Sequence, residues 1–212
     1  MKRFALTGLA TATVALLGWV TPLEAAPITY TETTTGTGVL NGTPFTNALV
    51  TIKFFGDTAN VGPFGQGCAL CLVNHASSGT VTVAGVGTDT FKDPLGILGF
   101  PFLSPDLNNM AGVAFIDAAP QTSGLLIIAT INNGLLPYDL RGPFGPITGA
   151  AGSPNNTTTY STMLGNFQWT SFPEVSTFTA TVAPVPEPAT LTLTAFGLAG
   201  VMLRNRRRRS AS

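Results

Sequence analysis

An all-β fold, a single antiparallel sandwich of jelly-roll-like form, is what this chain predicts. Three observations predict it. Apolar and polar residues alternate with period two in several segments, Gly- and Pro-rich clusters separate those segments, and no stretch of the body keeps a helical period.

Each element has its own grounds. Val50, Ile52 and Phe54 form one apolar face, with Thr51 and Lys53 on the other. Val81 and Val83 alternate with Thr80 and Thr82, and Phe178, Ala180 and Val182 alternate with Thr177, Thr179 and Thr181. Val113 to Ile116 and Leu125 to Ile131 are continuous apolar runs, which suit strands buried on both faces. Asn166 to Phe172, with Phe167 and Trp169, is a further strand. Turn clusters lie between: Asn41-Gly42-Thr43-Pro44, Lys92-Asp93-Pro94, Asn132-Asn133-Gly134 and the run from Gly152 to Asn156. Gly62-Pro63-Phe64-Gly65 recurs as Gly142-Pro143-Phe144-Gly145, which in so Gly- and Pro-rich a chain reads as coincidence rather than as two half-domains.

Thr29, Thr31, Thr33, Thr35 and Thr37 occupy every second position near the start of the body. In a strand they would make one ladder of hydroxyls and methyls spaced about 6.6 to 6.8 Å apart. One strand is not an array, and the alternate positions Tyr30, Glu32, Thr34 and Gly36 do not read as core. The expectation is an exposed edge strand or mobile arm.

Charge is scarce and unevenly placed. Charged residues make up 9% of the chain, against roughly 25% in an ordinary soluble domain. Between Ala26 and Ala183 three cations (Lys53, Lys92, Arg141) face eight carboxylates, a net charge of −5. Nucleic-acid binding needs a basic stripe on the folded domain, and this body has none.

The basic residues collect at the two ends. Lys2 and Arg3 precede an apolar run from Phe4 to Val20, Pro22 breaks it, and Ala25 and Ala26 supply small residues for cleavage. This is the pattern of a secretory signal peptide over residues 1–25, cut by signal peptidase between Ala25 and Ala26. At the other end, Pro186-Glu187-Pro188 precedes an uncharged stretch from Ala189 to Leu203, and Arg204, Arg206, Arg207, Arg208 and Arg209 follow. Fifteen helical residues span about 22 Å against a hydrocarbon core of about 30 Å, so a single membrane helix there is short. The arginine cluster acts as a membrane stop on the cytoplasmic side and leaves the body outside.

That order of parts, Pro-Glu-Pro then a short apolar helix then arginines, resembles the PEP-CTERM sorting signal of Gram-negative bacteria. The resemblance covers residues 184–212, whose region also carries the label of an ice-binding protein C-terminal domain; the label describes a tag. It implies an exosortase that cuts near Pro186, Glu187 and Pro188, an inner-membrane intermediate with a periplasmic body, and passage to the cell envelope or exterior, in bacteria that make exopolysaccharide. Gly38 to Thr43, Phe54 to Val61, Ser78 to Val83 and Phe178 to Val182 are also similar to a recurrent PEP-CTERM ectodomain, which implies no assigned activity. The organisation expected is a signal peptide, a β-sandwich over residues 26–183, and the sorting signal.

Cys68 and Cys71 are the sole cysteines. Haem attachment needs His at position 72, which is Leu72. With His75 the two thiols make three donors, one short of a closed structural zinc site. In an oxidising compartment a local disulfide is expected, worth about 2 kcal/mol, with reactive thiols and a metal as the other readings. His75 near Ser77 and Ser78 permits a triad on paper, but no nucleophile elbow is present. No catalytic residue, cofactor or metal is expected. The leading functional expectation is a non-catalytic structural or adhesive module of the envelope or extracellular matrix. A secreted polysaccharide-active hydrolase and a carbohydrate- or ice-binding module are the alternatives. A cleft with two facing carboxylates would favour the first of these, a flat threonine or aromatic face the second.

Overall fold

In a computed structural model of the chain the alternating segments are realised as strands. The structure describes residues 25–65, 68–92, 95–101, 111–117, 125–152 and 158–184. The predicted signal helix, the tail helix, Pro186, Glu187, Pro188 and the arginine cluster lie outside the described residues.

The strands run in chain order: β1 (Pro27–Leu40), β2 (Thr43–Asp57), β3 (Val61–Gly65), β4 (Cys68–Ala76), β5 (Ser78–Val83), β6 (Gly87–Thr90), β7 (Leu95–Pro101), β8 (Ala111–Asp117), β9 (Leu125–Ile131), β10 (Phe144–Gly152), β11 (Thr159–Ser161), β12 (Asn166–Ser171) and β13 (Val175–Val182). Antiparallel pairing links them in the order β3-β4-β7-β8-β9-β10-β13-β1-β2-β5-β6, with β12 on the far half of β1 and β11 beside β12. The two layers of the predicted sandwich therefore belong to one sheet folded over on itself. The bend passes through β10, whose Gly- and Pro-rich sequence shifts register between Phe144 and Ile147 as it crosses from β9 to β13.

Layer closure is aromatic. Phe54 of β2 meets Phe115 of β8 at 4.8 Å between ring centroids, and Phe115 reaches Phe178 of β13 at 6.4 Å. Trp169 of β12 donates its indole N–H across the core to the carbonyl of Ile127 at 3.0 Å, so a large apolar ring enters the interior with its one polar group satisfied. The run Ala111 to Ile116 is buried residue by residue, as a strand covered on both faces requires.

β1 overturns the expectation of an edge strand or arm. It lies in the middle of its layer, paired with β2 on one side and with β13 and then β12 on the other. Tyr30, Glu32, Thr34 and Gly36 face inward. They do not look like core because each needs a partner from elsewhere. Tyr30 OH donates to the carbonyl of Leu140 at 2.6 Å and accepts from Asn74 Nδ2 at 2.6 Å. Gly36 is glycine because a Cβ there would lie 2.5 Å from Cζ3 of Trp169. The turn to β2 is the two-residue loop Asn41-Gly42, with φ of 52° and 80°, the left-handed pair that matches the twist of a hairpin.

The body begins and ends at one place. Ala26 donates its N–H to Thr58 Oγ1 at 3.0 Å, and Ala183 donates to the carbonyl of Pro27 at 2.9 Å. Ile28 stands opposite Val182. The chain therefore enters and leaves the body side by side.

A threonine row across the outer face

In antiparallel strands directly opposed residues share a face and stand about 4.7 to 4.9 Å apart from strand to strand. Register alone then decides whether threonines scattered in sequence meet. Thr148 of β10 opposes Thr177 of β13, which opposes Thr33 of β1. Thr33 opposes Thr51 of β2, Thr51 opposes Thr82 of β5, and Thr82 opposes Thr88 of β6. Six threonines on six strands thus form one row running across the sheet. Five strand spacings make it about 24 Å long.

The row faces outward. Its neighbours along β1, β2, β5 and β13 point into the core: Glu32, Val50, Ile52, Val81, Val83, Ser176 and Phe178 are all buried. Two of its joints are hydroxyl pairs, Thr148 with Thr177 at 2.9 Å and Thr82 with Thr88 at 2.8 Å. A second, interrupted row lies beside it: Thr179, Thr31, Lys53, Thr80 and Thr90. Thr29 and Thr181 extend the face toward the end where the chain enters.

Beneath this face sits an unusual carboxyl. Glu32 is 1% exposed between β1, β9 and β13. Thr130 Oγ1 donates to its Oε1, Thr130 and Ser176 share a hydroxyl contact at 2.7 Å, and Oε2 has no hydrogen-bond partner. Burial pushes its pKa up to about 7, partly offset by the hydroxyls of Thr130 and Ser176. Asp89 behaves in the opposite way. Burial alone would raise it, but hydrogen bonds from Thr162, Thr90, Asn41 and Leu164 hold it below the usual carboxylate range. It accepts from Asn41 Nδ2 at 2.8 Å and from the N–H of Leu164 at 3.0 Å, clamping the β1–β2 turn to the loop before β12.

The sequence-derived residues fall as follows. Cys68 and Cys71 are bonded to each other at a Cα separation of 5.3 Å, so neither sulfur is a free ligand. Among the described residues no group of three His, Cys, Asp or Glu could hold a metal. His75 is exposed on β4, and Ser77 Oγ donates to the carbonyl of Phe55 at 3.0 Å. Ala25 is exposed and Ala26 buried, both just ahead of β1. The Gly-Pro-Phe-Gly copies are not equivalent, one lying in edge strand β3 and the other leading into interior strand β10.

Sequence reasoning missed the row. Its signal was present in the Thr pairs at 80/82, 88/90 and 177/179, each alternating like the run at 29–37. What it lacked was the register that aligns them.

Among known families, the one described as PEP-CTERM protein-sorting motif matches residues 184–208. The chain therefore carries a PEP-CTERM sorting motif, which is associated with exosortase processing and export to the cell envelope. No curated protein and no solved structure matches the chain.

Proposed function

We propose that this chain, addressed to the envelope by its PEP-CTERM motif, is a non-catalytic adhesive module of the envelope or extracellular matrix, and that its threonine face holds neutral exopolysaccharide. The observation that carries this reading is the row of six outward threonines across six strands. A threonine offers a hydroxyl that donates and accepts and a methyl that covers a C–H surface, which is the mixture a sugar ring presents in return. Each such hydrogen bond is worth about 0.5 to 1.5 kcal/mol net. Affinity then comes from many weak contacts along one chain, which suits adhesion.

Four carboxylates of the body are engaged within the fold, which favours binding over hydrolysis at those positions. A glycosidase needs two carboxyl groups about 5 to 10 Å apart across a scissile bond. Here Glu32 is buried, Asp89 is held in its clamp, and Asp57 and Asp139 accept from the N–H groups of Ala59 and Arg141. Lys53 interrupts the second row, and strands in such a sheet twist by roughly 20 to 25° from one to the next. A flexible hydrated chain tolerates that better than the plane of an ice crystal does.

The body's two ends support the sorting route. Signal peptidase would release Ala26 and an exosortase would act beyond Pro184, both at the end where β1 and β13 meet. The body would stand on the inner membrane by that end until the tail is removed. The test uses the exported protein purified from its envelope, mixed with insoluble neutral and acidic polysaccharides. Binding to the neutral set, largely insensitive to salt, is expected, with loss of binding in the triple variant Thr33→Val, Thr51→Val, Thr82→Val. Equal binding by that variant would overturn the threonine reading. Material still ending at Ser212 would overturn the processing route.

A further inference from the structure

β1 changes partners on one side partway along its length. β13 pairs with it as far as Thr34, and β12 pairs with it from Thr37 onward. Thr35 and Gly36 stand opposite neither, while on the other side β2 stays paired with both, Thr35 opposite Leu49 and Gly36 opposite Ala48, before the β1–β2 register itself shifts between Gly36 and Gly38. A depression of about 370 Å³ opens at this gap, lined by Thr33, Thr35, Leu49, Glu174, Val175 and Thr177 among others. Its size falls at the small end of ligand sites, which run from about 300 to 1,000 Å³.

Three properties distinguish it from the rest of the face. Thr33 and Thr177 belong to the threonine row, so the depression is continuous with it. Leu49 and Val175 are 53% and 54% exposed, an apolar pair on a face built mainly of threonine hydroxyls. Glu174 is the one charged residue in the lining. The rim is also held in place: Thr34 Oγ1 donates to the carbonyl of Val175 at 2.6 Å, and the N–H of Ala151 donates to the carbonyl of Glu174 at 2.9 Å. A site formed in advance binds without the cost of ordering it.

We infer that this depression is a subsite for a single uncharged sugar unit, and that it sets where a polysaccharide chain begins its contact with the threonine row. Leu49 and Val175 take the C–H face of the ring. Glu174 accepts from ring hydroxyls, as do the hydroxyls of Thr33, Thr35 and Thr177. An unpaired carboxylate with no cation in the lining repels uronate and sulfate groups, so charge selects a neutral glycan. The inference rests on the reading that the threonine face holds glycan.

The experiment titrates the exported protein with cellohexaose, mannohexaose and the hexamer of galacturonic acid, following the methyl resonances of Leu49 and Val175. Binding of at least one neutral hexamer with shifts at both residues is expected, together with weaker binding of the galacturonate. Leu49→Ser with Val175→Thr, both surface changes, should weaken the neutral hexamer about tenfold, the equivalent of about 1.4 kcal/mol. Glu174→Gln should narrow the preference for neutral over acidic hexamer several-fold. Unchanged affinity in the Leu49/Val175 variant, while the triple threonine variant loses binding, would overturn the subsite and leave the row standing. No binding of any polysaccharide by the unaltered protein would overturn both. A preference for galacturonate would overturn the subsite.

Discussion

The two layers of the folded sheet use the same alternation and finish their outer faces in opposite ways. Outward positions on β13, β1, β2, β5 and β6 are mostly threonines, partly or fully exposed, with Lys53, Phe55, Leu49 and Val175 among the exceptions. Outward positions on β4, β8 and β9 include Cys71, Ala114, Ile116 and Ala129, all buried, with Phe64, Cys68, Leu98 and Leu126 packed against them. One side of the molecule is finished in hydroxyls and the other is a second, smaller apolar cluster. The difference shows that burial of a sheet face follows the chemistry of its alternate positions rather than the strands themselves. A threonine keeps the β-branched shape that strands favour yet remains content in water. An isoleucine in the same place must be covered.

Replacing an outward residue on each side should expose this contrast most sharply. Ile116→Asn places an amide in the second cluster and leaves a partial void, with an expected loss of about 4 kcal/mol in chemical denaturation. A loss below 1 kcal/mol would mean that face is open to water.

The inner side of β1 gives the next effect. The unfolded glutamate titrates near 4.5 and the folded Glu32 near 7, so the folded state holds the proton more tightly. That stability is complete below pH 4.5 and is lost as pH rises through about 7, by about 3 kcal/mol in all. Glu32→Gln keeps the shape without the charge, so its stability should be flat across that window and should exceed that of the unaltered protein above pH 7. Unfolding curves at pH 5 and pH 8 decide it. A flat profile in the unaltered protein would show that the carboxyl is hydrated.

Asp89 tests the rim of the threonine layer. Asp89→Ala leaves Asn41 Nδ2 and the N–H of Leu164 without their acceptor, and about 2 kcal/mol should be lost. Its pKa is held low, so its contribution is present above the unfolded value and disappears as pH falls through the folded one. Thermal melts at pH 7 and pH 3 should therefore differ less in the variant than in the unaltered protein. The smallest effect belongs to the row itself. Thr51→Val should shift stability by no more than about 0.5 kcal/mol, because the lost hydroxyl faced water. A larger loss would make the row a structural feature rather than a binding one.

Local pattern carried much of the fold. The alternation at Val50–Phe54, Val81–Val83 and Phe178–Val182 placed β2, β5 and β13, and the apolar runs at Val113–Ile116 and Leu125–Ile131 foretold strands buried on both faces. Asn41-Gly42 named its turn. β10 escaped because Phe144-Gly145-Pro146 and Gly149-Ala150-Ala151-Gly152 read as loop until both neighbours are present to pair with them. β1 was misplaced because its inward residues are polar or small, and each is made acceptable by a residue far along the chain: Asn74 for Tyr30, Thr130 for Glu32, Trp169 for Gly36.

By itself the sequence determined the all-β class, the exported address with its PEP-CTERM motif at residues 184–208, and the supply of threonines at alternate positions. Those properties are local: period two, a proline pair, a run of arginines. Only the tertiary structure decided that Thr148, Thr177, Thr33, Thr51, Thr82 and Thr88 stand in one line, and that the gap beside Thr35 opens next to Leu49, Glu174 and Val175. Cross-strand register is a long-range choice. A slip of one residue in any pair would turn that strand's threonines into the core, and the buried valines and aromatics on the opposite face are what prevent it.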